Sequence, residues 1–428
     1  SNAFARSEIT DHKLYVQQPT GHEKRSSSGK PYVCHLQKGL YGTKQAARLW
    51  NQKFKKFLLA RGWRQYESDP CLFSRHTQRY GHELIGLYVD DICHCTSSEK
   101  AHKALLQVCN SEFPTTSQGP LSWILGMSVK RDRANRILSL DQRQSIFDFL
   151  NTWNHNFKSS SRPTPMSEKW NYGSEPPSTD EEVITQYRSQ VGSLNFYAQT
   201  TRPDIAYPVS VLCRYLSIPN VQCLTAVRHI MSYLAGNLDI GISYVGQDNL
   251  ALEAYCDANW GSPNDSTTKA KSTSGSIVYF AGGPIDWKSS LQSVVAQSSA
   301  ESEHISAFNC SRSVVYFRQF LEELGHTQFE PTTIWVDNTA CIAQSKNPVN
   351  HKSMKHMQLK YHYLRDLVQD AQVRLSYITT VDQIADIFTK PLCRRIFQRL
   401  LPFVVRSPVS FSSSGSSDPI FSPSPPSS

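Results

Sequence analysis

Two groups of carboxylates in this chain sit where side-chain chemistry would need them. Asp90 and Asp91 are adjacent, between the apolar runs 84–89 and 92–96, which puts them at the tip of a β-hairpin. Like charges this close repel unless a cation lies between them. A pair of divalent ions there could activate a hydroxyl nucleophile and stabilise a departing pyrophosphate. Alone, an Asp-Asp dipeptide is more often a polar turn. The second group lies in the C-terminal half: Asp257 closes the run 250–256, Asp337 closes 334–336, Asp386 stands in a later apolar run, and Glu301 and Glu303 open a long helical stretch. Residues two apart on a helix differ by about 200°, so only one of those glutamates can face Asp257. Apolar spacing does not choose, because Ile305 and Phe308 follow Glu301 while Ala307 and Val314 follow Glu303. Singly, each of these aspartates could be a strand-end or cap residue.

The elements that must position these acids can be read from periodicity. Leu49, Trp50, Phe54, Phe57 and Leu58 recur at helical steps with Lys and Gln between them, so 46–59 is an amphipathic helix. The stretch 21–31, rich in Ser, Gly and Lys, reads as a loop. A Ser/Pro-rich segment around Pro163, Pro165, Pro176 and Pro177 suits a linker, and a boundary is expected at 158–182. Residues 183–238 are helical in pattern, broken at Arg202-Pro203 and Ile218-Pro219. From 250 onward come strands at 250–256, 276–281 and 285–288, a helix over 299–324, a strand at 333–337 and further helices, the order of an α/β domain with a mixed sheet. The tail 407–428, mostly Ser and Pro with Asp418 as its one charge, is expected to be disordered.

Composition bounds the possibilities. At 428 residues two or three cores in series are expected. Hydrophobic residues at 39% and charged residues at 19% are globular values, and no apolar run is long enough to cross a bilayer. The net charge of +9 permits a polyanionic partner. The eleven cysteines are scattered without zinc-finger spacing, and Cys93 and Cys95 read as strand residues. A reduced, intracellular setting is the simpler reading.

Several motifs together carry a resemblance. Tyr88-Val89-Asp90-Asp91 between two strands resembles the reverse transcriptase signature, and the run from Lys38-Gly39-Leu40-Tyr41-Gly42 through Leu49-Trp50 is similar to the Ty1/copia form of the segment upstream. Ser68-Asp69-Pro70-Cys71-Leu72-Phe73 and Leu125-Gly126-Met127 extend the match. Farther on, Asp257-Ala258-Asn259-Trp260, Lys271-Ser272-Thr273-Ser274-Gly275, Trp287-Lys288-Ser289, Ile334-Trp335-Val336-Asp337-Asn338 and the run from Ile384 to Pro391 resemble ribonuclease H motifs of the same elements. The chain therefore resembles the reverse transcriptase and ribonuclease H region of a Ty1/copia-type retrotransposon polyprotein over residues 2 to 400.

The resemblance implies α+β and α/β architecture: a palm, fingers and thumb-like polymerase domain at 1–157, a linker at 158–182, a helical thumb or connection at 183–245 and a ribonuclease H-like domain with a mixed sheet at 250–400. It implies Asp90 and Asp91 as polymerase metal ligands, with Lys44, Gln45 and Arg48 facing nucleotide and template, and 125–130 holding the primer end. An ordinary solvated basic face weighs equally for Lys44 and Arg48. It implies Asp257, Glu303, Asp337 and Asp386 as a nuclease set, Glu303 preferred because the family acid stands four residues before an Ala, here Ala307, and Glu301 kept as the alternative. Two Mg²⁺ ions per site are implied, with Mn²⁺ able to substitute, activating water to cut RNA, the 2′-hydroxyl giving RNA selectivity. The implied partners are an RNA template, an RNA–DNA hybrid, a DNA primer and dNTPs, with no membrane; integrase, protease and capsid parts are not in this chain. A cytoplasmic virus-like particle, or the nucleus, is the implied location. His356 and His362 are candidates for a mobile histidine near the metals, or packed helical residues. One departure stands out: the third polymerase Asp would precede the Ala3-Phe4 pair, and Asp11 lies on the wrong side of it. The N-terminal edge of the polymerase is thus expected to be cut away and extension to be poor. The competing expectations are a decayed or domesticated fragment that binds nucleic acid without chemistry, and a structural module with solvated acids.

Overall fold

The computed structural model describes residues 9, 13–40, 42–153, 161–170, 175–246, 250–261, 270–346 and 355–407, with backbone alone for Lys44 and 355–358. Ala3-Phe4, Asp11 and the Ser/Pro tail beyond residue 407 lie outside them. The chain forms two compact units, Ser1–Leu121 and Ser122–Ser428.

In the first unit, β1 (Leu14–Gln17) pairs antiparallel with β2 (Val33–Leu36). Next come α1 (Lys44–Leu59), an antiparallel meander of β3 (Arg64–Gln65), β4 (Leu72–Thr77), β5 (Gly81–Tyr88) and β6 (Asp91–Thr96), and α2 (Glu99–Asn110). The apolar stripe of α1 accounts for the core: Ala46, Trp50, Phe54, Phe57 and Leu58 are buried against Phe73, Ile85, Leu87 and Phe113. Ser98 caps α2 by accepting from Ala101 N. Beneath the meander Glu83 is fully buried, 2.9 Å from Arg75 Nη2 and 3.3 Å from His94 Nε2.

Burial pulls the His94 pKa below its ordinary 6.5, with Glu83 opposing. A base depressed in the folded state stays neutral while the unfolded chain gains a proton, so stability is lost as pH falls below 6.5. Amide protection factors across β5 and β6, that is, exchange corrected for the pH dependence of the intrinsic rate, are expected to fall between pH 7 and 5, and His94→Gln, which cannot take up a proton, to weaken that dependence. An unchanged pH slope in the variant would contradict this.

The second unit opens with β7 (Trp123–Ile124), β8 (Met127–Asp132) and β9 (Ile137–Asp141), followed by α3 (Arg143–Thr152), α4 (Glu181–Thr200), α5 (Ala206–Cys213), α6 (Val221–Ala235) and β10 (Ile242–Val245). Leu125 and Gly126, both at positive φ, turn β7 into β8. The helical breaks stand at Pro203, where α4 has ended, and at Pro219, ahead of α6. The segment expected as a boundary falls inside this unit. β10 pairs with β9, Ile242 opposite Leu140, and Thr164, Pro165 and Met166 are buried, with Thr164 O 2.9 Å from His229 Nε2. A Ser/Pro-rich composition forbids regular structure; it does not forbid packing.

The remaining elements are β11 (Glu253–Asn259), β12 (Thr273–Phe280), β13 (Gly283–Leu291), α7 (Ser299–Glu323), β14 (Thr332–Val336), α8 (Thr339–Lys346), α9 (Lys355–Gln369), β15 (Val373–Tyr377) and α10 (Arg394–Val404). Five strands form one mixed sheet in the order β13-β12-β11-β14-β15, antiparallel on one side of β11 and parallel on the other. Edge strand β15 is absent from the sequence-based reading, although Val373 and Leu375 alternate with polar residues as a half-buried strand should. Ala307, Cys310 and Val314 of α7 pack on the face carrying Ala254, Cys256 and Ile334. Tyr255 and Ile277, on the opposite face, join the core built by α4, α5, α6 and the 3-10 turn 384–388. Central strand β11 is covered on both sides, which fixes its register.

Candidate metal centre

The parallel pairing of β11 with β14 sets Tyr255 opposite Trp335. Two residues farther along each strand come Asp257 and Asp337, so period-2 alternation puts both carboxylates on one face at one end of the sheet. Glu303 reaches the same point from the head of α7. Asp257, Glu303 and Asp337 each offer an oxygen within 4.8 Å of the others, the first two buried. Glu303 Oε2 has no hydrogen-bond partner. Glu301 does something else: it accepts from Gln297 N at 2.6 Å, closing the cap in which Ser298 accepts from the Glu301 N–H. The two glutamates point apart as the helical angle requires.

Asp386 arrives on the 3-10 turn. Gln383, fully buried, donates to Cys256 O at 3.0 Å and accepts from Ala385 N, fastening the turn to β11. At its far end Thr389 Oγ1 donates to Asp257 Oδ2 at 2.5 Å, and Lys390 Nζ lies 2.8 Å from Asp386 Oδ1. Asp386 is thus tied to the three-acid group through Asp257 and Lys390. Thr380 Oγ1 donates to Asp337 at 2.9 Å. Ser306 of α7 donates to Asp257 O at 2.7 Å, locking the helix head to the strand. Gln383, Ser306, Thr380, Thr389 and Lys390 escaped the sequence reading. Thr389 and Lys390 do stand within the motif run from Ile384 to Pro391, Lys390 one turn after Asp386.

The electrostatics of the cluster are strained. Burial, then Asp257 and Asp337, push the Glu303 carboxyl up to about 10. Burial and then Asp257 raise Asp337 and take Asp386 to about 7, with Lys390 opposing. Burial alone would lower Lys390, but Asp257 and Asp386 outweigh it and hold the ammonium above its usual value. Oxygen-only donors, adjacent and short of positive charge on the Glu303 side, are the donor set of a hard divalent cation. His362 is exposed, and the side chain of His356 lies outside the described residues.

In the first unit Asp90 and Asp91 are exposed. The turn is Val89-Asp90, and Asp91 already pairs with Tyr88. Val89 holds φ 55, a costly conformation for a β-branched residue, and its carbonyl accepts from the Trp50 indole at 2.5 Å. That bond fastens the tip to α1, whose first turns carry half-buried Gln45 and exposed Arg48; the Lys44 side chain is not described. Among the described residues no third Asp, Glu, His or Cys completes a cluster there. Trp50→Phe keeps the apolar body among Phe54 and Phe113 but removes the donor. It is expected to cost about 1 kcal/mol and to speed amide exchange at 89–91; unchanged exchange would contradict that role.

Residues 1–161 match the family model of reverse transcriptase (RNA-dependent DNA polymerase). The chain is 36% identical to the retrovirus-related Pol polyprotein from transposon RE1 of Arabidopsis thaliana, over 93% of this chain and 26% of that protein. It is 33% identical to the corresponding polyprotein from transposon TNT 1-94 of Nicotiana tabacum, over 92% of this chain and 30% of the relative. It therefore spans between a quarter and a third of those polyproteins. The transposon Ty5-1 protein of Saccharomyces cerevisiae is 33% identical, with 71% of this chain aligned to 96% of that protein. Among solved structures, the foamy viral protease-reverse transcriptase in complex with RNA/DNA hybrid aligns over 89% of this chain and 43% of its own, at 14% identity and a TM-score of 0.48.

Proposed function

Since the chain belongs to the Ty1/copia-type retrotransposon polyproteins, we propose that its C-terminal half is a divalent-metal nuclease cutting the RNA strand of RNA–DNA hybrids, joined to the palm side of a reverse transcriptase. The supporting observation is the convergence of Asp257, Glu303 and Asp337, from two strands and a helix, within 4.8 Å of one another. No packing argument favours gathering three such acids, two of them buried, at one point; a cation does. On this reading the polymerase part runs to about residue 157, the helices of 183–245 form the thumb or connection, and 250–400 is the nuclease.

Mg²⁺ held by Asp257, Glu303, Asp337 and Asp386 would supply activation of water and neutralisation of the scissile phosphate. The protein's own part is positional. Thr389 orients Asp257, Thr380 orients Asp337, and Gln383 and Ser306 keep the 3-10 turn and the α7 head against β11. Contacts with the 2′-hydroxyl would select RNA over DNA. Asp90 and Asp91, with Lys44, Gln45 and Arg48 on α1, the helix whose Trp50 bonds to the hairpin tip, are the corresponding candidates for the polymerase site. An RNA template, a primer and dNTPs would be its substrates, within a virus-like particle.

The test is cleavage of an end-labelled RNA–DNA hybrid with Mg²⁺. Cutting of the RNA strand alone, abolished by EDTA and restored by Mg²⁺ or Mn²⁺, is expected. A hybrid that is bound and never cut would favour the binding-only alternative.

A further inference from the structure

The acid cluster already contains a cation of its own. Lys390 follows Asp386 by four residues, and its Nζ stands 2.8 Å from Asp386 Oδ1 and 3.9 Å from Asp257 Oδ2. The Asp257 oxygen it approaches is the one that accepts from Thr389 Oγ1. The site is therefore divided. What distinguishes the Asp257–Asp386 side is the ammonium beside its carboxylates; on the Asp257–Glu303–Asp337 side Thr380 Oγ1 donates to Asp337 and Glu303 Oε2 has no hydrogen-bond partner.

We propose that Lys390 is a built-in counter-ion that reserves the Asp257–Asp386 side of the cluster, so that Asp257, Glu303 and Asp337 take the first divalent ion and a second is held only once the ammonium is displaced. The inference rests on the nuclease reading and adds an order to metal loading. A lysine suits this role: its charge is a compact point on a flexible stem, and the side chain is one-third exposed, so it can withdraw to water by rotating its own bonds. In the metal-free protein it keeps Asp386 and Asp257 from facing each other uncompensated, an arrangement that would otherwise strain the 3-10 turn. Without it the second ion would meet no competitor, and the turn would have no internal charge to hold it while empty.

The test uses the full chain and Mn²⁺ as the probe. Bound Mn²⁺ is counted by electron paramagnetic resonance during a titration, and thermal melting is followed in EDTA, for wild type, Lys390→Gln and Lys390→Arg. Wild type is expected to bind in a tight and a weak phase. In Lys390→Gln the weak phase should tighten roughly tenfold or more, the effect of removing one close charge, and the EDTA melting temperature should fall and recover with Mn²⁺. Lys390→Arg, which keeps the charge, should bind the second ion no more tightly than wild type. Equal second-phase affinity in wild type and the Gln variant with unchanged melting overturns the proposal, as does an Arg variant that tightens as Gln does. If Lys390→Gln does not fold in EDTA, the Arg result alone decides. Wild type that binds no Mn²⁺ at all overturns the nuclease reading itself, a separate outcome.

Discussion

Asp257→Asn, Glu303→Gln and Asp337→Asn are each expected to reduce hybrid cleavage by about 10³-fold, the loss of roughly 4 kcal/mol of transition-state stabilisation, while hybrid binding is retained. Each change keeps the side chain's shape and removes a charge from a group whose oxygens lie within 4.8 Å of one another. Stability should move the other way. With metal removed, burial and the neighbouring acids lift the Glu303 carboxyl to about 10 from an ordinary 4.5. The folded protein then keeps a proton that the unfolded chain releases, so stability falls as pH rises between those two values. Glu303→Gln removes that slope and should stabilise the EDTA-treated protein at pH 7 to 8, on the order of 1–3 kcal/mol. A variant that is inactive and yet more stable marks a site selected for chemistry at the expense of the fold. Cleavage within about tenfold of wild type in all three, or a Gln variant that melts lower in EDTA, would contradict the assignment.

Gly275→Ala should produce the second large effect, through geometry alone. Gly275 sits opposite Asp257 in the β11–β12 pair, and a methyl group there would lie 2.6 Å from Thr389 Cγ2, 2.8 Å from Phe388 Cβ and 2.9 Å from Ala385 O. The Ala385 carbonyl and the Phe388 β-carbon cannot step aside as a flexible side-chain end would, and the Thr389 methyl is held by the bond of its hydroxyl to Asp257. The turn carrying Asp386, Thr389 and Lys390 must lift from β11, at about 1–3 kcal/mol for the overpacking. A displacement of about 1 Å at a catalytic group can cost some 10²-fold in rate. Melting temperature and cleavage should both fall, while Asp257, Glu303 and Asp337 still bind Mn²⁺. Wild-type values of both would show that the turn's seat on β11 does not matter.

Much of the layout is legible in the sequence because it is local. The apolar stripe of α1, the hairpin around Asp90, the prolines beside α4 and α6, and the strand that ends just before Asp337 all follow from short-range periodicity. Asp257, expected at a strand end, lies inside β11, which pairing with β12 carries on to Asn259. What is not legible is set by distant partners. The four residues of β10 become a strand by pairing with β9, about a hundred positions away in sequence, and so short a run has no period of its own. Glu301 and Glu303 are equivalent in spacing; the cap at Gln297 and the nearness of Asp257 separate them. Gln383 and Ser306 look like any polar residues until their side chains meet the carbonyls of Cys256 and Asp257. Composition places Thr164 and Met166 in a linker, yet they are buried, Thr164 against His229 of α6, because the Ser/Pro-rich path crosses a helix surface.

On the nuclease reading, Asp257, Glu303 and Asp337 together hold a divalent cation. Anomalous diffraction from crystals soaked in Mn²⁺ at saturating concentration addresses it directly. An ion ligated jointly by Asp257, Glu303 and Asp337 is the predicted result. A cluster that stays empty under those conditions, or Mn²⁺ bound only elsewhere on the protein, would contradict the account.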